Sequence, residues 1–187
     1  MNDIPIVRHR LLVASPILMD PNFYRAVVFV LEHNAEGTVG IVLNDPTDVI
    51  LDEALEGWGP LGCPPGVVFC GGPVEPTGVI AVARSLGDTV DVPGFQALTH
   101  GFGLVDLESE PGSLVGRVGD LRLYVGYAGW GAGQLAGEIA EGAWIVLDPG
   151  PADLMAVKPQ QLWSRVLGRQ GGAFTQVALQ TEEPWLN

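Results

Sequence analysis

Histidine and glutamate side chains are the groups through which this chain could hold a metal ion. Glu32 and His33 are adjacent in the sequence, and His100 lies in a later segment. Adjacent side chains on a strand point to opposite faces, so Glu32 and His33 are poorly placed to bind the same ion. His33 and His100 would need a third ligand, and a hydrogen-bonded structural histidine is the commoner role for such a residue. The sequence therefore predicts no metal site.

Two cysteines, Cys63 and Cys70, supply the thiols of the chain, and they are too few for a disulfide framework. Cys70 could be activated if backbone N–H groups converge on it, but an unreactive buried cysteine at the end of a strand is the favoured interpretation. Gly71 and Gly72 follow directly and permit backbone conformations that are closed to other residues. They either bring main chain close to a ligand or turn a corner, and we favour the corner.

A loose dinucleotide-binding pattern is formed by Gly131, Gly133 and Ala136, which follow a predicted strand and open a predicted helix. The helix has room for about two or three turns before Gly142, and no repeated parallel strand–helix units surround it. We therefore interpret the small residues as a close packing surface between helix and sheet, and we expect no cofactor. The sequence also contains no G-x-S-x-G, Walker, H-E-x-x-H or C-x-x-C motif.

Short apolar runs bounded by Pro, Gly, Asn and Asp predict the strands that would position these groups. The predicted strands are Leu11–Ala14, Ala26–Leu31, Val39–Leu43, Val67–Cys70, Val79–Ala83, Leu104–Leu107, Leu121–Gly126 and Trp144–Leu147. Capping residues and apolar spacing predict helices at Thr47–Leu55, after Gly131, after Asp153 and at Pro159–Gly168, while Ala173–Leu179 fits either state. Strands and helices are mixed irregularly, so the predicted fold class is α+β.

Composition limits the classes of function. The 187 residues, 47% of them hydrophobic, are enough for a single domain over residues 1–187. Nine basic residues against 22 acidic ones give a net charge of −13, which repels phosphate polymers and anionic membrane surfaces. No apolar stretch approaches the length of a membrane-spanning helix. We expect an acidic cytoplasmic protein with no direct nucleic-acid binding and no membrane contact.

Several ordered blocks of sequence carry a resemblance to a known family. They are DPNFYRAVVFVLEHNAEGTVGIVLNDP (residues 20–46), Cys70-Gly71-Gly72-Pro73-Val74, Gly126–Trp144 and Pro184–Asn187. Together they resemble the AlgH/YqgE-like bacterial proteins over nearly the whole chain. The resemblance implies a mixed, bifurcated β-sheet, partly barrel-like and flanked by helices, and it implies a regulatory role.

The same resemblance implies a candidate ligand-binding cleft of polar and aromatic residues at strand ends and a helix start. Its members are Asn22, Arg25, Glu32, His33, Asn44, Gly71, Gly72, Tyr127, Trp130, Gln134 and Glu138. Arg25 would offer a rigid fork to a carboxylate or phosphate, and Tyr127 and Trp130 would offer stacking faces. Alternatively, these groups form a hydrogen-bonded network, with Arg25 paired to Glu32 or Glu138, that fixes how the loops pack.

Two functions from different classes follow. The favoured one is a non-enzymatic regulatory module that binds a protein or small-molecule partner. The alternative is an enzyme acting on a small anionic molecule in a cleft around Arg25, His33 and Trp130. Convergence of His33 and Glu138 on an open cavity would favour catalysis, whereas polar groups satisfied by one another would favour the module.

Overall fold

The computed structural model describes residues 7–87 and 92–179, so the terminal Pro184–Asn187 of the family resemblance lie outside it. Its strands are β1 (Leu11–Ala14), β2 (Val27–Asn34), β3 (Gly37–Val42), β4 (Pro46–Ile50), β5 (Val67–Cys70), β6 (Val74–Ser85), β7 (Phe95–Thr99), β8 (Phe102–Val105), β9 (Val118–Gly131) and β10 (Trp144–Leu147). The helices are α1 (Leu51–Ala54), α2 (Pro111–Leu114), α3 (Gln134–Ala140), α4 (Leu162–Gly168) and α5 (Ala173–Leu179), with 3₁₀ turns at Gly59–Leu61 and Pro159–Gln161.

The strands form one sheet that forks along β9. The main path runs β10-β1-β2-β3-β9-β6-β8-β7, and all of its pairs are antiparallel. Strand β9 pairs with β6 along one edge, while its other edge is shared by β3 near the end of β9 and by β5, which runs parallel to it. Strand β4 extends the second branch by pairing with β5. The predicted α+β class and bifurcated mixed sheet are confirmed.

The fork is made of glycine. The Gly71 N–H donates to the Val125 carbonyl at 2.8 Å, and the Val42 N–H donates to the Gly71 carbonyl at 2.8 Å, so Gly71 lies between β3 and β9. A Cβ atom at Gly71 would lie 2.3 Å from the Gly126 carbonyl oxygen, and one at Gly72 would lie 2.3 Å from the Tyr127 carbonyl carbon. The main chain that approaches these glycines closely is therefore strand β9 itself.

The branch of the sheet that contains β1, β2 and β3 is buried on both faces. Leu11 and Val13 of β1 belong to a core cluster beneath α4, whereas Leu12 and Ala14 belong to a cluster on the opposite face beneath α3. Because successive side chains of a strand alternate between faces, a strand covered on both sides needs a continuous apolar run. This explains why β1 (LLVA) and the first five residues of β2 (VVFVL) appear in the sequence as continuous apolar runs.

Two predicted helices are wrong in whole or part. Thr47–Leu55 was expected to be a helix, but Pro46–Ile50 is strand β4 and the helix covers only Leu51–Ala54. Pairing with β5 overrides the local helix signal, and the Thr47 hydroxyl donates to the Val68 carbonyl at 2.7 Å. Asp153 caps no helix; its buried carboxylate instead accepts the Gly150 N–H at 2.6 Å and pairs with Arg169 at 2.6 Å.

The remaining differences concern the second half of the chain. The segment that fitted either state, Ala173–Leu179, is helix α5, and strand β7 was missed because its exposed side chains follow no clear pattern. Among the residues that the structure describes, no helix is both long enough and apolar enough to cross a membrane.

The fork predicts a contrast between two glycines of similar backbone conformation. Gly126 (φ +71°) and Gly116 (φ +78°) both have positive φ, but an added Cβ would lie 2.4 Å from the Gly72 carbonyl oxygen at Gly126 and in open space at Gly116. Gly116→Ala should lower the free energy of unfolding by about 1–2 kcal/mol, the cost of the backbone conformation alone. Gly126→Ala should lower the free energy of unfolding by about 1–3 kcal/mol more than Gly116→Ala does, because β9 must move away from the segment at Gly72. Urea denaturation measures both, and equal losses would contradict the glycine fork.

Candidate functional site

Glu138, one of the predicted site residues, gathers three hydrogen-bond donors around its carboxylate. Its Oε2 accepts from the Trp130 Nε1–H at 2.9 Å and from the Trp144 Nε1–H at 2.8 Å. Its Oε1 accepts from the Gln134 amide at 2.9 Å, and the Gln134 carbonyl oxygen accepts the Gly131 N–H at 3.0 Å. Glu138 therefore joins α3 to both β9 and β10 and has most of its acceptor capacity in use.

An aromatic cluster surrounds this carboxylate. Phe23, from the loop between β1 and β2, stacks on Trp130 with ring centroids 5.9 Å apart and meets the edge of Trp144 at 5.4 Å. The two indoles meet edge to face at 5.7 Å, and both are buried. The stacking face of Trp130 that the sequence assigned to a ligand is thus occupied by a neighbouring ring of the same chain. Trp144 is the first residue of the predicted and observed strand Trp144–Leu147.

His33 is satisfied within its own hairpin. Its Nδ1 lies 2.7 Å from the Thr38 hydroxyl, directly across β2 and β3 in register. Thr38 in turn faces Trp130 across β3 and β9. Sequence reasoning missed Thr38, although the short Asn34-to-Gly37 turn places it opposite His33. The structural role weighed for this histidine accords with the geometry, and in the described part of the chain no cluster of metal-binding side chains forms.

Glu32 lies on the other face of the hairpin, as strand alternation requires. It pairs with Arg8 at 3.2 Å, both side chains being about half exposed. It also borders a groove of about 390 Å³ in which two glutamates and a tyrosine meet the ends of β3 and β9. The groove is lined by Glu32, Asn34, Glu36, Gly37, Thr38, Val39, Val74, Tyr127, Gly129 and Trp130.

The Tyr127 ring lies in this groove next to Gly129, which has no side chain to displace it. A Cβ atom at Gly129 would lie 3.4 Å from a carbon of the Tyr127 ring, so the ring extends across β9 over the glycine. On the hairpin side, the Asn34 side chain accepts the Glu36 and Gly37 N–H groups at 2.9 and 3.2 Å and fixes the turn that carries Glu36. The groove thus presents two carboxylates and one aromatic face on a defined backbone.

Asn44 and Asn22 hold backbone rather than each other. The Asn44 side chain accepts the Val27 N–H at 2.8 Å and donates to the Arg25 carbonyl at 2.9 Å, which ties β3 to the start of β2. Asn22 is exposed, and its side chain and N–H both donate to Asp20 within a turn. Neither amide reaches the groove beside β9.

Arg25 pairs with neither of the two carboxylates, Glu32 and Glu138, that were considered as its partners. Glu32 pairs with Arg8 and Glu138 binds the two indoles, so the expected ion pairs of Arg25 are wrong. Its guanidinium lies instead 5.2 Å from the centroid of the Tyr24 ring and 5.4 Å from that of Trp163. The predicted set is therefore divided among a closed network under α3, a groove beside the hairpin, and a cationic position beside α4.

Arg122 is a buried cation that the sequence did not single out. It is 1% exposed, and its Nη2 donates to the Pro64 and Ala156 carbonyls at 2.8 and 3.0 Å. Its guanidinium lies 4.3 Å from the centroid of Phe69. Burial raises the pKa of the neighbouring Tyr124 phenol, against the opposing effect of the Arg122 charge. The guanidinium of Arg122 therefore connects the loops that carry Pro64 and Ala156 to strand β9.

The two thiols occupy different environments. Cys63 is buried beside Met155, and burial raises the pKa of its thiol while the nearby Arg122 charge opposes the shift. Cys70 is half-buried and borders a largely apolar cavity of about 430 Å³ between β4, β6 and β9. Cys70 ends strand β5, as expected, but it is only half-buried.

Thiol labelling should therefore proceed in two phases. In the folded protein, iodoacetamide should modify Cys70 well before Cys63, because the latter is shielded and its thiolate is disfavoured. Intact-mass spectrometry of the wild type should show one rapid addition, which Cys70→Ser removes and Cys63→Ser preserves. A rapid addition that persists in Cys70→Ser would contradict the assignment.

The closed network predicts a stability loss specific to one glutamate of α3. Glu138→Ala leaves two buried indole N–H groups without their acceptor, so the free energy of unfolding should fall by about 2–5 kcal/mol. Glu141→Ala is the matched control at the end of the same helix, where the exposed side chain makes no hydrogen bond or ion pair with described residues, and it should change stability by less than about 0.5 kcal/mol. Chemical denaturation followed by tryptophan fluorescence compares them, and coincident unfolding curves would refute the role of Glu138.

Comparison with known proteins agrees with this architecture. The chain is 46% identical over 190 residues to a UPF0301 protein of Streptomyces avermitilis, with 100% of this chain and 98% of the relative covered. It is 40% identical over 162 residues to a UPF0301 protein of Mycobacterium leprae, with 86% and 80% covered.

Solved structures share the fold over nearly the full length. The crystal structure of a Corynebacterium diphtheriae protein superimposes with a TM-score of 0.86 at 28% identity, covering 95% of this chain and 94% of the other. The solution structure of the AlgH protein from Pseudomonas aeruginosa gives 0.68 at 28% identity, covering 100% and 99%. A family model described as AlgH-like matches residues 11–175. The chain therefore belongs to the AlgH-like family.

Proposed function

We propose that the protein is a non-catalytic binding module of the cytoplasm that acts in regulation by receiving a positively charged segment of a partner protein. The observation that carries this proposal is the saturation of the polar groups that catalysis would need. Glu138 accepts from three side-chain donors, and the His33 ring faces the Thr38 hydroxyl at 2.7 Å. A general acid or base must be able to reach a substrate, and these groups are already engaged with neighbours in the described part of the chain.

The groove beside the β2–β3 hairpin supports the choice of partner. Glu36 is exposed and its side chain makes no hydrogen bond or ion pair with described residues, and Glu32 forms an ion pair with the half-exposed Arg8. Tyr127 contributes an aromatic face next to these carboxylates. Lysine and arginine side chains are attracted both by carboxylates and by the faces of aromatic rings. The net charge of −13 would also accelerate the approach of a basic partner.

The alternative, an enzyme acting on a small anion at Arg25, His33 and Trp130, receives less support. The guanidinium of Arg25 contacts Trp163, the ring of His33 contacts Thr38, and the indole of Trp130 contacts Glu138. Each of the three groups is thus oriented by a different neighbour. They do not converge on a common reacting atom, which is the geometry that catalysis requires.

Titration with a basic peptide tests the module. We expect acetyl-hexalysine amide, added at about 150 mM salt, where distant charges are screened, to shift backbone amide resonances of residues 32–39 and 127–130. Glu36→Gln combined with Tyr127→Leu should weaken binding by roughly tenfold, since each change removes an attraction of up to about 1 kcal/mol.

Glu53→Gln, an exposed acid on α1, is the charge-matched control and should bind the peptide like the wild type. The proposal fails if the control loses affinity as much as the groove variant does. It also fails if the shifted resonances are spread over the acidic surface without concentrating at the hairpin and β9.

A further inference from the structure

We propose that Arg25 and Ser15 form a binding site for a small molecule bearing a carboxylate or phosphate group, separate from the groove beside the hairpin. The site lies where β1 ends and β2 begins, against the first turn of α4. It goes beyond the proposed function because none of its residues lines the groove.

The guanidinium of Arg25 is held without a counter-ion. It lies between the rings of Tyr24 and Trp163, 5.2 and 5.4 Å from their centroids. Among the described residues no carboxylate pairs with it, and its buried Nε has no hydrogen-bond partner. Flat rings on a guanidinium stiffen the side chain while leaving its N–H edge unused, and that edge fits two oxygens of one anion.

The distribution of the other charges makes this arrangement unusual for the molecule. In a chain of net charge −13, most described arginines pair with a carboxylate. These pairs are Arg8 with Glu32, Arg10 with Asp148, Arg84 with Asp120, and both Arg165 and Arg169 with Asp153. Arg25, Arg117 and Arg122 have no such pair among the described residues. Arg117 is exposed and Arg122 donates to backbone carbonyls, whereas Arg25 is half-buried, a position in which a positive charge gains more from an anion than it does at the exposed surface.

The backbone around Arg25 is built to hold an unfavourable conformation. Its φ is +53°, in the left-handed region that a non-glycine residue seldom adopts. The Asn44 side chain keeps it there by donating to the Arg25 carbonyl at 2.9 Å and accepting the Val27 N–H at 2.8 Å. Strain held in place by a dedicated side chain is typical of positions that orient a functional group.

Ser15 supplies a second polar group at the same place. Ser15 follows Ala14, whose N–H donates to the Ala26 carbonyl at 2.9 Å and whose carbonyl accepts the Trp163 indole N–H at 2.8 Å. Ser15 is therefore next in the chain to a residue that contacts both the neighbour of Arg25 and the ring beside its guanidinium. The buried Ser15 hydroxyl has no hydrogen-bond partner among described residues. A hydroxyl and a guanidinium together match the needs of an oxyanion.

Nitrogen-15 NMR of the arginine side chains in the wild-type protein tests the site directly. Sodium phosphate and sodium succinate, each against sodium chloride of equal ionic strength, separate phosphate from carboxylate binding. We expect at least one of the two anions to shift the Arg25 Nε–Hε resonance saturably while that of Arg117 stays in place. A saturable response to phosphate alone, to succinate alone or to both supports the site and identifies the group it prefers.

Variants assign the response to the proposed residues. Arg25→Met should abolish the saturable thermal shift produced by the active anion, and Ser15→Ala should weaken it about fivefold. Arg117→Met removes an exposed charge that has no ion pair within the described residues, and it should respond like the wild type. Neither anion shifting Arg25 at up to about 50 mM, or an undiminished response in folded Arg25→Met, would overturn the proposal. Because the wild-type measurement stands alone, a poorly folding variant does not decide the outcome.

Discussion

The fork of the sheet depends on contacts in which main chain meets main chain. At Gly71, Gly72 and Gly126 a Cβ atom would lie within about 2.4 Å of a backbone atom of the facing segment, closer than any side chain permits. Because these glycines have no side chains, Gly71 can accept a hydrogen bond from β3 while β5, which precedes it, runs alongside β9. Both branches are therefore fixed relative to one long strand, and the loops and helices that carry polar groups inherit their positions from it.

Strand alternation then decides which polar groups can meet. The branch containing β1, β2 and β3 is covered on both faces, so neighbouring residues such as Glu32 and His33 are directed to different surroundings. The His33 ring contacts Thr38, while Glu32 pairs with Arg8 and borders the open groove, which Thr38 and Trp130 also line. A set of residues that follows one motif along the sequence is thus distributed over both faces of the sheet. Motif proximity in the sequence does not imply a shared cleft.

Much of the fold could be predicted from the sequence because strands buried on both faces leave continuous apolar runs. Trp144–Leu147 and Leu11–Ala14 were predicted with their observed bounds for this reason. Segment Pro46–Ile50 was not, because its helix-like capping pattern gives way to pairing with β5, a partner distant in the sequence. The burial of Arg122 has the same kind of cause, because the loop carrying Leu154 and Ala156, which is distant in the sequence, covers it. Cross-chain contacts of this kind leave no periodic signal.

Glu138 and Arg25 illustrate the difference between a polar group that stabilises the fold and a polar group that remains available to bind a ligand. Glu138 is a carboxylate in a chain with an excess of carboxylates, yet it has three neutral donors, so its charge is used within the fold. Arg25 is a cation in the same acidic chain, and among the described residues no carboxylate pairs with it. A group that is satisfied contributes to stability and resists further interactions. A rigid, charged group without a partner, held at a strained backbone position, is stabilised only when a ligand binds to it. This difference in the source of stabilisation distinguishes a recognition site from a structural network.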